Sequence, residues 1–185
     1  MGSRQPVRTR PLRRRSRRSV ALVRALVQRV TEARVSVDGE FIGEIGAGLC
    51  VLVGVTHDDD ESRAAKLASK VANVRIFDDE SGALNYSLVE TGGAALVVSQ
   101  FTLYGDTARG RRPSWVAAAR PEQAEPLIAA FVRELAALGV PVSTGRFRAE
   151  MLVALVNDGP VTLMLEVPGA AAEPTGREAQ RERPM

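Results

Sequence analysis

Residues 49–55, Leu-Cys-Val-Leu-Val-Gly-Val, carry no polar side chain. A run of this length without a wet face reads as a strand buried on both sides, at the centre of a sheet. Residues 94–100, Ala-Ala-Leu-Val-Val-Ser-Gln, form a second apolar run and read as another such strand, turning polar as it leaves the core. Shorter Val- and Leu-rich segments at 24–30, 34–37, 41–45, 75–77, 140–142, 151–156 and 161–167 read as further strands. The pair Asp38-Gly39 is tight-turn chemistry.

Two segments have helical spacing instead. Residues 64–74 place Ala64, Leu67, Ala68, Val71 and Val74 on one face. Asp58 with Glu61 three positions on fits a capping box ahead of it. Residues 121–138 open on Pro121, put Leu127, Phe131 and Leu135 on one face, and stop at Gly139. Many strands, mostly joined by hairpins, with two helices packed on them make the expected class α+β.

The ends are different in kind. The first 22 residues hold eight arginines and no acid. The last 17 hold three bases and three acids, which leaves 14 bases against 19 acids in residues 23–168, a net of −5. The basic balance of the whole chain therefore belongs to its head, and a protein that coats nucleic acid with its whole surface is excluded. A like-charged, Pro-containing head does not fold alone. It reads as a phosphate-binding arm, as a disordered extension, or as upstream sequence outside the natural protein. The expected division is an extension over 1–22, one domain over 23–168 and a disordered tail over 169–185. The single cysteine, Cys50, excludes an internal disulfide and suits a reducing compartment. No apolar run reaches the ~20 residues of a membrane helix.

Familiar catalytic sets are missing. His57 is the one histidine and sits among acids in an expected loop, so a solvated role is the default. Asp58, Asp59 and Asp60 lack the spacing and glycine of a calcium loop. Two hexapeptides stand out. Ser99-Gln100-Phe101-Thr102-Leu103-Tyr104 ends a buried strand, where a rigid scaffold presents hydroxyls and backbone N–H groups to a ligand. Asn157-Asp158-Gly159-Pro160-Val161-Thr162 lies between two expected strands and reads either as a hairpin loop or as a special Gly-Pro device.

Together these hexapeptides resemble the signatures of the D-aminoacyl-tRNA deacylases. The likeness spans nearly all of residues 23–167. It includes Ala25-Leu26-Val27-Gln28-Arg29-Val30, Gly46-Ala47-Gly48-Leu49, Val74-Arg75-Ile76-Phe77-Asp78-Asp79, Gly110-Arg111-Arg112-Pro113-Ser114 and Thr144-Gly145-Arg146-Phe147. The resemblance implies a barrel-like, mostly antiparallel sheet with two packed helices. It also implies a cytoplasmic homodimer without metal or organic cofactor. Such an enzyme would hydrolyse the ester of D-aminoacyl-tRNA at the acceptor end, and that of glycine wrongly attached to alanine tRNA. Carried over, Ser99, Gln100, Phe101 and Thr102 line the pocket. Gly159 and Pro160, with a cis bond between them, enter the partner's pocket and exclude L side chains. Arg29, Asn157 and Thr162 support that loop. Arg109, Arg111 and Arg112 are expected phosphate contacts.

Backbone N–H groups near Gln100 and Phe101 are the expected oxyanion stabiliser. No base is evident to activate Thr102, so the terminal 2′-hydroxyl of the tRNA is the expected helper of an attacking water. Val23 stands where the family's initiator methionine falls, which makes 1–22 an expected mis-assigned start. Arg148 departs from the small residue usual after Phe147. Two other readings use the same residues: a non-catalytic RNA-binding module, and a Thr102-dependent hydrolase of small esters.

Overall fold

The computed structural model describes residues 22–108 and 110–168. The expected extension, the expected tail and Arg109 fall outside the described residues, apart from Leu22, which opens the first strand.

The strands are β1 (Leu22–Val37), β2 (Glu40–Ile45), β3 (Gly48–Gly54), β4 (Phe77–Asp78), β5 (Leu84–Tyr86), β6 (Ala94–Ser99), β7 (Val142–Thr144) and β8 (Leu152–Pro168). The helices are α1 (Glu61–Asn73), the short α2 (Leu88–Thr91) and α3 (Pro121–Ala137). A 3-10 turn, Phe101–Tyr104, follows β6 directly. The main sheet runs β2-β1-β3-β6-β7, and β8 pairs with β1. The β1 pairings with β2, β3 and β8 are antiparallel, whereas β3-β6 and β6-β7 are parallel. The two ends of the path meet, because the Ser143 hydroxyl on β7 donates to the Glu44 carbonyl on β2 at 2.8 Å. The α+β, barrel-like expectation describes this nearly closed sheet.

β3 is the central strand its composition demands. Leu49, Val51 and Val53 face the cluster that contains α1 and α3, with Leu67 and Phe131 fully buried there. Cys50 faces the opposite cluster with Val35, Leu96 and Val98. Burying a side chain such as Phe131 contributes roughly 1.5–3 kcal/mol relative to exposure.

Three local expectations are corrected. First, the cap of α1 is Asp60, whose carboxylate accepts from the Arg63 N–H at 2.9 Å, not Asp58. Asp59 is instead turned inward, where it accepts from the Thr56 N–H at 2.8 Å. Three successive acids offer three candidate caps, and the backbone turn at Thr56 decides among them. Second, the segments expected at 24–30 and 34–37 are one strand of 16 residues. Its first half pairs with β3 and its second with β2, so polar Thr31 and Glu32 mark a change of neighbour without breaking the strand. Third, 151–156 and 161–167 are also one strand, β8, of 17 residues. Both halves pair with β1, so Asn157-Asp158-Gly159 does not reverse the chain. Thr162 pairs with Gln28 and Asn157 with Val30, so residues 158–161 stand opposite the single residue Arg29 and bulge out of the ladder.

Candidate active site

Two constructions face the chemistry. The first is built where β6 ends. Ser99 is its last residue, and Gln100 leaves the strand with φ −140° and ψ 78°. The 3-10 turn that follows is anchored from β1. The Arg24 guanidinium donates to the Leu103 carbonyl at 3.2 Å and lies 4.5 Å over the Tyr104 ring. Tyr104 is buried, and desolvation pushes its hydroxyl well above the ordinary tyrosine range. Gly54 ends β3 beneath this turn. A Cβ there would come within 3.1 Å of the Gln100 carbonyl and of the Tyr104 ring, so the absence of a side chain lets the turn sit down on the sheet.

Beside the turn lies a cleft of about 620 Å³, lined among others by Ser99, Gln100, Phe101, Trp115, Phe147 and Arg148. Phe101 and Trp115 meet edge to face with ring centroids 5.5 Å apart, and both are partly exposed. An apolar, aromatic cleft with a few polar groups at a strand end has the character of a small-molecule site. Thr102 is exposed and is not one of the lining residues; its hydroxyl accepts from the Gln100 side-chain amide.

The Gln100 N–H is already committed, since it donates to the Val53 carbonyl at 2.7 Å. That contradicts its expected part in an oxyanion hole. The sheet ladder between β3 and β6 simply continues one residue past Ser99. Phe101 and Thr102 open the 3-10 turn, ahead of its first bond from the Leu103 N–H to the Gln100 carbonyl, and theirs are the N–H groups the turn leaves over.

The second construction is the bulge in β8. Its Gly159-Pro160 peptide bond is cis, and Gly159 has φ 114°. A Cβ on Gly159 would lie 2.8 Å from Val161 Cγ2 and 3.0 Å from Arg29 Nη2. Arg29 is buried on β1, directly beneath the bulge. Its Nη1 donates to the Ile76 carbonyl at 2.8 Å and lies 3.3 Å from the Asp78 carboxylate. Its Nε lies 3.0 Å from the Asp158 carboxylate. Asn157 closes the other side: its side-chain amide donates to the Arg29 carbonyl at 2.8 Å and to the Val161 carbonyl at 3.0 Å. Gln28 donates to the Thr162 hydroxyl at 3.3 Å. Gly159 and Pro160 are exposed, and neither lines the cleft of its own chain.

The other candidates are now placed. Arg111 and Arg112 are exposed in a loop closed by paired Asp106 and Ser114 backbone bonds of 2.9 Å, and this loop leads into Trp115. His57 is structural: its ring nitrogen meets the Val116 carbonyl at 2.8 Å, and its carbonyl accepts from Gln123. Cys50 is fully buried, and burial pushes its thiol up to about 11. Among the described residues, no group of three or more His, Cys, Asp or Glu side chains converges as a metal site. The sequence reading missed Trp115, Phe147 and Met151 as cleft walls, and Asp78 and Asp158 as the acids that fix Arg29.

Comparison with known proteins identifies the family. A family model described as D-Tyr-tRNA(Tyr) deacylase matches residues 26–166. A D-aminoacyl-tRNA deacylase of Symbiobacterium thermophilum is 59% identical over 145 residues, covering 78% of this chain and 96% of that protein. One from Roseiflexus sp. (strain RS-1) is 60% identical over 144 residues, with 78% and 93% covered. Among solved structures, the c-Myc DNA Unwinding Element Binding Protein has a TM-score of 0.74 at 39% identity, covering 79% of this chain and 99% of that one. A probable eukaryotic D-amino acid tRNA deacylase shares the fold, with a TM-score of 0.69 at 18% identity and coverage of 79% and 100%. The chain belongs to the D-aminoacyl-tRNA deacylase family.

Proposed function

We propose that this protein hydrolyses the ester of D-aminoacyl-tRNA as a homodimer, with the Gly159-Pro160 bulge of one subunit completing the cleft of the other. One observation carries this reading: the bulge, pinned by Arg29 and Asn157, is exposed and lies outside the lining of its own chain's Ser99–Gln100–Phe101 cleft. The edge strand β8 supports it, since Leu152, Ala154 and Val156 are exposed along one face of it, an apolar strip suited to a second copy.

On this reading the cleft receives the terminal adenosine, with its base against the Phe101 and Trp115 rings. The partner's bulge binds the substrate's α-amino group and fills the space where an L side chain would project. Rejection by exclusion needs no recognition of the side chain itself. Many D-amino acids are therefore accepted, and glycine, with nothing to exclude, passes as well. The developing oxyanion is met by the Phe101 N–H. Thr102 has no base beside it, so the ribose 2′-hydroxyl of the tRNA assists an attacking water and no acyl-enzyme forms. Arg111 and Arg112 contact phosphates of the acceptor end.

The test is incubation of the protein with D-Tyr-tRNA, L-Tyr-tRNA and a simple D-tyrosine alkyl ester. The reading requires hydrolysis of the first alone. Loss of the alkyl ester would support the Thr102-dependent hydrolase, and binding without turnover would support the RNA-binding module. Substituting 2′-deoxyadenosine at the tRNA terminus abolishes turnover if the RNA assists; an unchanged rate removes that step.

A further inference from the structure

Two non-glycine residues among those described have positive φ: Asp38 at 51° and Arg148 at 63°. Asp38 is accounted for by the Asp38-Gly39 turn between β1 and β2, and a short polar side chain tolerates this conformation. Arg148 has no such local excuse. It lies on the turn after Phe147, closed by an Ala149 N–H bond to the Arg146 carbonyl at 3.2 Å, where glycine would sit without steric cost. Strained positions of this kind gather at ligand sites, and Arg148 lines the cleft that Ser99 and Phe101 also line.

Its charge is uncommitted. Arg148 is exposed and makes no ion pair among the described residues, not even with Glu150, the other charged residue lining the cleft. It is thus the one cation among the described lining residues of a largely apolar, aromatic cleft. Such a cleft suits a ligand with a flat base and one adjacent anion. An aminoacyl-nucleotide has that form, because the phosphodiester stands on the same ribose that carries the ester.

We propose that Arg148 is a specificity residue that binds the 5′-phosphate of the tRNA's terminal nucleotide. It holds the ester in place without touching the reacting atoms. The proposal rests on the deacylase reading above. A planar guanidinium forms paired, charge-assisted hydrogen bonds to phosphate, which a lysine does not reproduce.

The experiment compares the full-length protein with Arg148→Gly and Arg148→Lys on two substrates, D-Tyr-tRNA and D-tyrosyl-adenosine, which lacks the phosphate. Glycine fits the turn, and a thermal melt verifies folding. Arg148→Gly is expected to raise KM for D-Tyr-tRNA about tenfold with kcat little changed, a loss of the size of one charge-assisted contact. KM for D-tyrosyl-adenosine stays the same. The slope of log KM against log salt for the tRNA falls by about 0.7, the counterion share of one single-strand phosphate. Arg148→Lys recovers part of the tRNA affinity. An unchanged KM for the tRNA, or an equal rise for both substrates, overturns the proposal while leaving the deacylase reading intact. Wild-type inactivity on both substrates overturns both.

Discussion

Replacing Arg29 with methionine tests how the bulge is held. Methionine keeps the apolar stem of the buried side chain and deletes the guanidinium. The loss comprises the 2.8 Å bond to the buried Ile76 carbonyl and the contacts at 3.3 Å and 3.0 Å to Asp78 and Asp158. The charge-assisted bond is worth about 1.5–3 kcal/mol, much of it the penalty of leaving a buried carbonyl unpaired. Asp78 and Asp158 are about half exposed, so water rehydrates them and each pair adds only about 0–1 kcal/mol. Relief of the guanidinium's own desolvation offsets a part. The net expectation is a loss of about 2–3 kcal/mol, or roughly 5–10 °C in Tm for a domain of this size. Activity should fall further than stability implies. A bulge displaced by about 1 Å can cost on the order of 100-fold in kcat/KM. The assay pairs a thermal melt with deacylation of D-Tyr-tRNA well below the variant's Tm. A Tm change under about 2 °C, or unaltered deacylation by the folded variant, would show that Arg29 does not fix the bulge.

Three other outcomes follow from the same geometry. Gly159→Ala must carry φ 114° and a Cβ 2.8 Å from Val161 and 3.0 Å from Arg29; D-Tyr-tRNA deacylation should drop by at least about 100-fold while the melt moves by a few degrees at most, and full activity would refute the close fit. Cys50, buried with its thiol pushed up to about 11, should stay unreactive towards a thiol reagent at neutral pH until the protein unfolds; stoichiometric labelling of the native form would contradict this. The Asp79 carboxyl is held down at about 2, chiefly by the Ser81 hydroxyl and then by the Ala83 and Ser81 N–H groups. Its folded value lies below its unfolded one, so its stabilising contribution is complete above about pH 4 and disappears as pH falls towards 2. The stability gap between wild type and Asp79→Asn, read by urea unfolding, should be flat above pH 4 and close below it; a gap that widens on acidification would refute the assignment.

Much of the fold is legible in the sequence because its strongest signals are local. The apolar run that became β3 could only be a covered strand, and the spacing of Leu127, Phe131 and Leu135 could only serve a helix. What was illegible is pairing. Nothing at Thr31-Glu32 announces that β1 continues while its neighbour changes from β3 to β2. Nothing in Asn157-Asp158-Gly159 distinguishes a reversal from a bulge, because both use turn-forming residues and only the shared partner β1 separates them. The site shows the same division. Ser99 and Phe101 could be read from their place at a strand end. Trp115 and Phe147 could not, since they reach the cleft through loops far apart in sequence. The commitment of the Gln100 N–H is illegible for a related reason: the partner that takes it, Val53, lies on another strand.

The arrangement of β8 separates two kinds of constraint on the chain. Asn157 and Thr162 sit two β1 residues apart, so three of the residues between them are surplus to the ladder. Excising residues 158–160 would leave Val161 opposite Arg29, with the smaller irregularity at Thr31 as the one remaining break in the pairing of β8 with β1. The scaffold could close without the bulge. On the proposed reading, pressure to retain Gly159 and Pro160 comes from what they do to a substrate, whereas pressure on the strand to either side comes from the need to fold. A lineage that abandoned chiral selection could shed the bulge and keep the barrel.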